Sequence, residues 1–367
     1  MLSVSAKDLF PNISRLRKPI LVTGHTGFVG TWLISVLDEI QIPWVGFSKN
    51  PLEGSMFERL KLTSRIEQKF GDLRNSELLE KFIVITKPSS IIHLAADALV
   101  LEAIKSPYSV MHNNFNSTLS LLSEYEKTPY INRMLVSTTD KVYRNSNSKK
   151  AFKESDPLEG NEPYSESKVA TEALIRAFNA LLPIDRRILV ARAGNIIGGG
   201  DFAKDRLIPD IVRGRMHSSK IHLRMPEATR PWQHVLDVVF GYLFYLEKSL
   251  VSDLVPLAIN FASFNSTKSV RYIVDRMLQQ EFIENGLIHY SRELTNEILQ
   301  LEKLSLDLDA SLAKEVLQWE NIYDVDTAID MTIRWWVHFL EDNQDPKAIT
   351  VSQIQRYLSK VVEKLSA

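Results

Sequence analysis

A tyrosine and a lysine four residues apart, Tyr164 and Lys168, have the types and spacing that proton-transfer chemistry needs. They open a segment, 164–182, whose apolar periodicity predicts a helix. On a helix this spacing puts both side chains on one face, and a nearby ammonium lowers the pKa of a phenol. The pair therefore predicts proton exchange with a substrate hydroxyl, although the same spacing also occurs on solvated helix faces.

A hydroxyl, a carboxyl and an ammonium group follow one another at Thr139, Asp140 and Lys141. They stand where a predicted strand, RMLVST, ends. Because the carboxyl end of a central parallel strand faces the ligand crevice, these groups would meet a bound substrate. We interpret them as a second set of proton-transferring groups. The alternative is a polar turn that caps the strand.

Three glycines, Gly24, Gly27 and Gly30, lie between the first predicted strand and a predicted helix at Phe28–Glu39. Without side chains, such a turn is tight and its backbone can approach a pyrophosphate at the positive end of the helix. Glycines at strand–helix turns also serve packing alone. We predict a dinucleotide site, and its contacts in the turn also include Thr26, Phe28 and Val29.

The acidic residue that usually binds the ribose, about 20 residues further along, is absent from this sequence. The second predicted strand ends instead in Ser48, Lys49 and Asn50. Asn50 would still bond a ribose hydroxyl, whereas Ser48 and Lys49 would suit the 2′-phosphate of NADP. We predict NAD.

Asp72 follows the third strand, where it would accept a hydrogen bond from the adenine amino group or cap the next helix.

Short apolar runs alternate with amphipathic segments through the first half of the chain, which predicts a doubly wound parallel sheet. Six strands are predicted, in PILVTG, PWVGF, IEQKF, SIIHLAA, RMLVST and RRILVARAG. The intervening helices are predicted at 28–39, 76–86, 110–125 and 164–182.

The character of the chain changes after about Gly198. Stretches rich in Gly, Pro and charge, 198–210 and 224–234, predict loops with short helices, and helical periodicity returns at 269–282 and 326–342. We predict a Rossmann-type α/β domain over 1–197 and a smaller mixed α/β lobe over 198–367. A return segment near 233–262 would join the first domain, and the site would lie in the cleft between the two.

Composition excludes several classes of function. With 44% hydrophobic and 24% charged residues and a net charge of −1, the 367-residue chain suggests neither nucleic acid nor a membrane surface as partner. The absence of cysteine excludes disulfides and thiolate catalysis, and the histidines lack metal-ligand spacing, so we predict no metal. No signal-peptide core or transmembrane run is seen, which predicts a cytoplasmic protein. We interpret His93 and Trp335–Trp336 as packing residues.

Together these features resemble the nucleotide-sugar 4,6-dehydratases, a branch of the extended short-chain dehydrogenase/reductases. The stretches VTGHTGF, NFAS, RAGNIIGGGDFAKDRLIPDIVR (192–213) and RPWQHV (230–235) are similar to signatures of that branch, and the resemblance covers nearly the whole chain. Members carry Thr-Asp-Glu or Ser/Thr-Asp-Lys at the strand end. Lysine as the third residue, at Lys141, points toward the CDP-glucose 4,6-dehydratases.

The resemblance implies a reaction. Tyr164, aided by Lys168 and Thr139, would take the proton of the sugar C4 hydroxyl while hydride passes from C4 to NAD. Lys141 would remove the C5 proton as Asp140 protonates the departing C6 hydroxyl. Hydride would then return to C6, giving a 4-keto-6-deoxy sugar. Two alternatives remain. A 4-epimerase or decarboxylase would need Tyr164 and Lys168 but not an acid and a base such as Asp140 and Lys141. A nucleotide-binding scaffold without turnover would need none of these four residues.

The resemblance also assigns binding residues. It implies further cofactor contacts from Leu73, Leu94, Ala95 and Ala96, and a nucleotide pocket lined by Asn195, Leu207, Ile208 and Pro209. Arg230, and secondarily Arg224, would hold the diphosphate, since a guanidinium forks two bonds to phosphate oxygens. The alternative for each arginine is a surface salt bridge. A homodimer through helices 110–125 and 164–182 is also implied.

The chain departs from the branch in the loop after the fourth strand. Asp97 stands where relatives tend to have glutamine, and Leu101 where they tend to have arginine. This loop lies near cofactor and sugar in the fold. A different nucleotide-sugar therefore stays open as the substrate.

Overall fold

The computed structural model describes residues 6–64, 67–147, 150–263, 267–290, 303–341 and 345–366. Seven strands form its central sheet: β1 (Ile20–Thr23), β2 (Trp44–Ser48), β3 (Gln68–Phe70), β4 (Ser90–His93), β5 (Arg133–Thr139), β6 (Ile188–Ala193) and β11 (Ala258–Phe261). All neighbouring pairs are parallel, in the order β11-β6-β5-β4-β1-β2-β3. The prediction of a doubly wound parallel sheet is confirmed. The six strands predicted for the first half are all present, and β11, from the second half of the chain, adds a seventh beside β6.

The sheet is buried on both faces because its strands are almost entirely apolar. Successive residues of β1 point to opposite sides, so Ile20 and Val22 join one hydrophobic cluster and Leu21 joins the other. Helices cover both clusters, as a doubly wound sheet requires.

The first half contributes eight helices within the described residues. They are α1 (Ala6–Leu9), α2 (Pro11–Arg15), α3 (Phe28–Glu39), α4 (Met56–Arg59), α5 (Ser76–Thr86), α6 (Val100–Lys105), α7 (Pro107–Lys127) and α8 (Pro163–Asn179). The predicted bounds of α3 and α5 are confirmed. Helices α7 and α8 pack against each other, and each begins with a proline, whose missing N–H costs nothing in a first helical turn.

The second half contains short paired strands and six helices within the described residues. The strands are β7 (Ile196–Ile197), β8 (Ile221–Leu223), β9 (Thr229–Pro231), β10 (Gln233–His234), β12 (Thr267–Ser269) and β13 (Ile288–Tyr290). The helices are α9 (Leu207–His217), α10 (Val235–Ser249), α11 (Val270–Gln279), α12 (Ser311–Leu317), α13 (Val325–Leu340) and α14 (Pro346–Ser366).

Of the two stretches predicted as loops with short helices, the first contains the start of a helix and the second contains strands instead. Helix α9 begins inside the first, and β9 and β10 occupy the second, pairing with β12 and β7. Trp335 and Trp336 on α13 are buried, as predicted, and a Cβ on Gly199 would lie 2.0 Å from the Trp335 ring. None of the described helices combines the length and the apolar composition that crossing a bilayer would require.

The helix furthest along the described chain packs against one of the earliest. Helix α14 lies on α3, where Gln355 Nε2 donates to Glu39 Oε2 at 3.3 Å. Tyr357 on α14 also donates its hydroxyl to the buried carboxylate of Asp237 on α10, at 2.7 Å. The helix that follows the glycine turn is therefore supported from the far side by residues 346–366.

Candidate active site

A cleft of about 350 Å³ opens at the carboxyl edge of the sheet. The five residues predicted as catalytic all line it: Thr139, Asp140, Lys141, Tyr164 and Lys168. Strand β5 delivers the first three at its tip, and the opening turns of α8 deliver the other two. Parallel strands end at one edge of a sheet, which is why residues so distant in sequence meet there.

The start of α8 is fixed by Glu162. Its carboxylate accepts from the backbone N–H groups of Tyr164 and Ser165, at 2.7 and 3.0 Å, and the Ser165 hydroxyl accepts in return from the Glu162 N–H. This reciprocal cap sets where the first turn begins. Tyr164 and Lys168 then face the sheet, and the Lys168 ammonium donates to the Ser137 carbonyl at 3.1 Å. Both side chains are buried, so the solvated-face alternative is wrong.

Thr139 and Asp140 are linked at the tip of β5. The Thr139 hydroxyl donates to Asp140 Oδ1 at 3.0 Å and accepts from the Lys141 N–H at 3.3 Å, so it also caps the turn 140–142. Asp140 is 3% exposed, and its Oδ2 has no hydrogen-bond partner among the described residues. Burial raises the pKa of this carboxyl, against the opposing effect of Lys141. A carboxyl whose pKa is raised in this way is better suited to donate a proton than an exposed one.

Burial also sets the protonation of the tyrosine–lysine pair. It raises the pKa of Tyr164 to about 12 and lowers the pKa of Lys168 to about 8. The predicted lowering of the phenol pKa is therefore wrong for this structure. Removal from water disfavours the phenolate more than the neighbouring cations favour it. The main cation acting on Tyr164 is Arg206, a cleft residue that sequence reasoning missed.

The glycine turn leaves room for a ligand at one position. A Cβ on Gly24, whose φ is +74°, would lie 2.6 Å from the Ala95 nitrogen, and one on Gly30 would lie 2.2 Å from the Gly24 oxygen. The fold itself therefore requires both glycines. A Cβ on Gly27 would approach only the Gly24 oxygen, at 3.4 Å. Exposed Gly27 caps α3, so its bare Cα fits a pyrophosphate at the helix N-terminus.

Polar side chains surround the tip of β2, where the adenosine end of a dinucleotide is expected. The Ser48 hydroxyl is bonded to the Thr26 hydroxyl at 2.7 Å, and Asn50 is exposed. Asp72 binds Arg74, and this hydrogen bond lowers the pKa of the carboxyl to about 2. The interpretation of Asp72 as a helix cap is wrong, since Asn75 caps α5 by accepting from the Leu78 N–H at 3.0 Å.

Of the remaining predicted cofactor residues, three line the cleft and three pack against other parts of the fold. Val29, Leu94 and Ala96 line the cleft. Phe28 packs near Gly198, and Leu73 is 5% exposed and belongs to the hydrophobic cluster that includes Phe47. Ala95 packs against that cluster and lies directly behind Gly24.

All six predicted substrate residues line the cleft: Asn195, Leu207, Ile208, Pro209, Arg224 and Arg230. Arg230 is 7% exposed, so it is not a surface residue, and its charge acts on Asp140. Arg224 donates from Nη2 to the Asp205 carbonyl at 3.2 Å, while its buried Nη1 has no hydrogen-bond partner among the described residues. Arg224 therefore keeps an N–H group for a polar ligand in the cleft, whereas Arg230 lines the cleft and donates from Nη1 to the Thr229 carbonyl at 2.8 Å.

The two residues that depart from the resembled branch, Asp97 and Leu101, lie in the segment after β4, beside the cleft. Leu101 lines the cleft, and Asp97 forms an ion pair with Lys49, with Nζ 3.7 Å from Oδ1. Asn114 on α7 holds the Asp97 backbone by accepting from its N–H at 2.7 Å and donating to its carbonyl at 3.1 Å. Sequence reasoning missed Asn114 because the contact joins distant segments.

Two buried histidines have structural roles. His93 is bonded through Nδ1 to Thr23 at 2.6 Å and through Nε2 to Thr118 at 3.1 Å, so its interpretation as a core residue is confirmed. Burial lowers its pKa to about 3 and that of His25 to about 4, which leaves both rings neutral. Across the described part of the chain, no group of three His, Cys, Asp or Glu side chains is arranged to hold a metal ion.

Comparison with known proteins agrees with this geometry. Residues 20–255 match the model of the NAD dependent epimerase/dehydratase family. A CDP-glucose 4,6-dehydratase of Salmonella typhimurium is 32% identical over 356 residues, which cover 93% of this chain and 96% of that protein.

Solved structures show the same fold. A dTDP-glucose 4,6-dehydratase from Streptomyces venezuelae, with NAD and TYD bound, superposes with a TM-score of 0.76 at 20% identity, covering 90% of this chain and 99% of the other. A UDP-glucose 4-epimerase from Thermotoga maritima gives a TM-score of 0.74 at 20% identity, over 88% and 100% of the two chains. The chain thus belongs to the NAD-dependent epimerase/dehydratase family, and its cofactor is NAD.

Proposed function

We propose that this protein is a CDP-glucose 4,6-dehydratase, which converts CDP-glucose into CDP-4-keto-6-deoxyglucose. One observation carries the proposal: the buried carboxyl of Asp140, whose pKa is raised, lies next to Lys141 in the cleft that also contains Tyr164 and Lys168. Oxidation and epimerisation at C4 need only the last two residues. An additional acid and base suit the removal of water across C5 and C6.

The first step uses Tyr164 as the proton acceptor for the C4 hydroxyl. The hydrogen bond from Thr139 and the charge of Arg206 stabilise the charged form of the phenol, and Lys168 lies one helical turn further along the same face. Bound NAD supplies hydride transfer, accepting hydride from C4 and later returning it to C6.

The second step uses the tip of β5. A ketone at C4 makes the C5 proton acidic, and Lys141 removes it. Asp140 donates a proton to the departing C6 hydroxyl, which leaves as water. As hydride returns to C6, Lys141 gives a proton, exchanged with solvent, back to C5, which completes the 4-keto-6-deoxy sugar. Burial supports this assignment, because it keeps Asp140 protonated at a pH where an exposed aspartate is ionised.

The substrate is held from the second half of the chain. Arg230 and Arg224 would bind the diphosphate through paired N–H groups, and Asn195, Leu207, Ile208 and Pro209 would line the nucleotide pocket. The cytidine nucleotide and the glucose ring are proposed from the similarity to the Salmonella enzyme.

We also propose a cytoplasmic homodimer. Helices α7 and α8 pack side by side, and α7 exposes apolar side chains, with Tyr108 80% and Met111 39% exposed. A second copy of this pair would cover them. The absence of cysteine is compatible with a reducing cytoplasm. Sedimentation should give twice the monomer mass, and a Met111→Glu variant should shift it to the monomer.

The decisive experiment incubates the pure protein with CDP-, dTDP-, UDP- and GDP-glucose in deuterated water. CDP-glucose should lose one water and gain solvent deuterium at C5, with no consumption of added NADH. A C4 epimer without deuterium at C5 would replace the proposal with an epimerase. Preference for another nucleotide would correct the substrate, and absence of any product would reject catalysis.

A further inference from the structure

Four charged side chains form a cluster at the tip of β2: Lys49, Asp72, Arg74 and Asp97. Lys49 pairs with Asp97, Nζ to Oδ1 at 3.7 Å, and Arg74 donates from Nε to Asp72 Oδ1 at 2.9 Å. Lys49 also acts on the Asp72 carboxyl, and Asp97 acts on the Arg74 guanidinium. The cluster contains two cations and two carboxylates, so its formal charges cancel.

Asp97 reaches this cluster from another part of the sheet. It lies in the loop after β4, whereas Lys49 directly follows β2, and β1 with its glycine turn lies between those two strands. The ion pair therefore crosses the edge where a dinucleotide binds. Asn114 fixes the backbone of Asp97 and itself donates to the Ser167 hydroxyl on α8 at 2.9 Å. The backbone of Asp97 is thus held in place.

The tip of β2 is where a Rossmann-type site distinguishes NAD from NADP. An acidic residue there usually binds the ribose 2′-hydroxyl, while nearby arginine or lysine accommodates a 2′-phosphate. Here the strand ends in Ser48, Lys49 and Asn50, a sequence that by itself suits the phosphate. The acidic side chain that pairs with Lys49 comes instead from Asp97, in the loop after β4.

We propose that Asp97, together with Asp72, makes this site selective for NAD over NADP by engaging the cations that would otherwise bind a 2′-phosphate. This inference rests on the placement of the adenosine ribose at the tip of β2. Asp97 and Asp72 are positioned to repel a phosphate group of about −1.5 to −2 charge, and they leave Lys49 and Arg74 already paired. A neutral 2′-hydroxyl meets neither obstacle.

Exposure decides the size of the effect. Lys49 and Asp97 side chains are 58% and 41% exposed, so their pairing adds little to the stability of the fold. A dianionic ligand responds more strongly, because removal of one carboxylate both lowers repulsion and frees one cation. We expect a change of about tenfold in the preference between cofactors per carboxylate removed.

The test measures dissociation constants of NADH and NADPH by energy transfer from tryptophan to the reduced nicotinamide, on protein freed of copurified nucleotide. Asp97→Asn should tighten NADPH binding about tenfold and leave NADH binding within about twofold. Adding Asp72→Asn should tighten NADPH further. Adding Lys49→Gln to Asp97→Asn should remove the gain, and high salt should reduce it.

Two controls separate the possible failures. Glu77→Gln removes one carboxylate of an exposed ion pair on α5, with Lys81, and should leave the ratio unchanged. Gly27→Val should abolish binding of both nucleotides. If Gly27→Val retains NADH affinity, the placement of the cofactor is wrong. If it loses both nucleotides but Asp97→Asn leaves the ratio unchanged, only the selectivity inference is overturned.

Discussion

The Glu172 carboxylate on α8 and the Arg192 guanidinium on β6 form an ion pair behind the tip of β5, with Nη2 2.6 Å from Oε2. Their side chains are only 2% and 5% exposed. Thr138 on β5 donates to Glu172 at 2.8 Å, and Arg192 donates to the Tyr143 hydroxyl at 2.8 Å. The pair thus ties the helix that carries the tyrosine and lysine to the strand that carries the acid.

Breaking this ion pair should destabilise the fold. Glu172→Gln leaves the Arg192 charge buried without its counterion, which costs about 3–5 kcal/mol of unfolding free energy. Urea unfolding measures the loss. Glu77→Gln, which breaks an exposed pair, should change the free energy by less than about 1 kcal/mol. Equal effects of the two substitutions would mean that the buried pair contributes no more than a surface pair.

Removing the Tyr164 hydroxyl should stop proton transfer without disturbing binding. Tyr164→Phe should reduce turnover of CDP-glucose by ~10²–10⁴-fold, since general acid–base catalysis contributes that much. NADH affinity and the melting temperature should remain near those of the parent protein. Turnover within a few-fold of the parent would exclude Tyr164 as the proton acceptor.

Removing the Lys141 amine should separate oxidation at C4 from the elimination of water across C5 and C6. Lys141→Ala leaves Tyr164 and Lys168 in place, so oxidation at C4 should proceed and reduced nicotinamide absorbance should accumulate on mixing with substrate. Deuterium should not enter C5, because the proposed base is absent. Lys141→Arg keeps the charge as a matched control. Normal product formation by the alanine variant would contradict the role of Lys141.

The three glycines of the turn should separate folding from binding. Gly30→Ala puts a Cβ 2.2 Å from the Gly24 oxygen and should lower the melting temperature. Gly27→Ala meets only one atom, at 3.4 Å, and should fold normally while binding NADH more weakly. Calorimetry and nucleotide titration measure the two effects. A Gly27→Ala variant that melts early and binds normally would reverse this interpretation.

Burial of Lys168 should make stability depend on pH in a defined direction. Its pKa is lowered to about 8 in the folded protein, from about 10.5 for an exposed lysine. Between these values the unfolded chain binds more protons, so stability rises with pH across that window. Relative to Lys168→Met, the parent protein should gain up to about 3 kcal/mol between pH 8 and 10.5. A difference that stays constant with pH would contradict a depressed pKa.

Local patterns predicted α5, whose buried residues Leu79 and Ile83 lie four positions apart on one face. Helix α10 was missed because residues on all its faces are buried, which removes the alternation that marks an amphipathic helix. Strand β11 was not predicted because its four residues, AINF, are interrupted by the polar Asn260 and are too few to distinguish from a loop or helix end.

The residues of the candidate site were likewise predictable only where their relation is local in the sequence. Tyr164 and Lys168 were identified because their relation is local, and Thr139, Asp140 and Lys141 because they end a strand. Arg206, Asn114 and the partners of Asp97 depend on contacts between distant segments, for which one sequence has no signal. The direction of the Tyr164 pKa shift depends on burial, which spacing alone does not report.

The contact between α14 and α3 has a consequence for how the chain is made. Residues 28–39 are synthesised more than 300 positions before residues 346–366, which provide the surface that supports them. The nucleotide-binding unit is therefore complete only after residues 346–366 have been synthesised. Until then the face of α3 that α14 covers stays exposed, and chaperones could bind the nascent chain there.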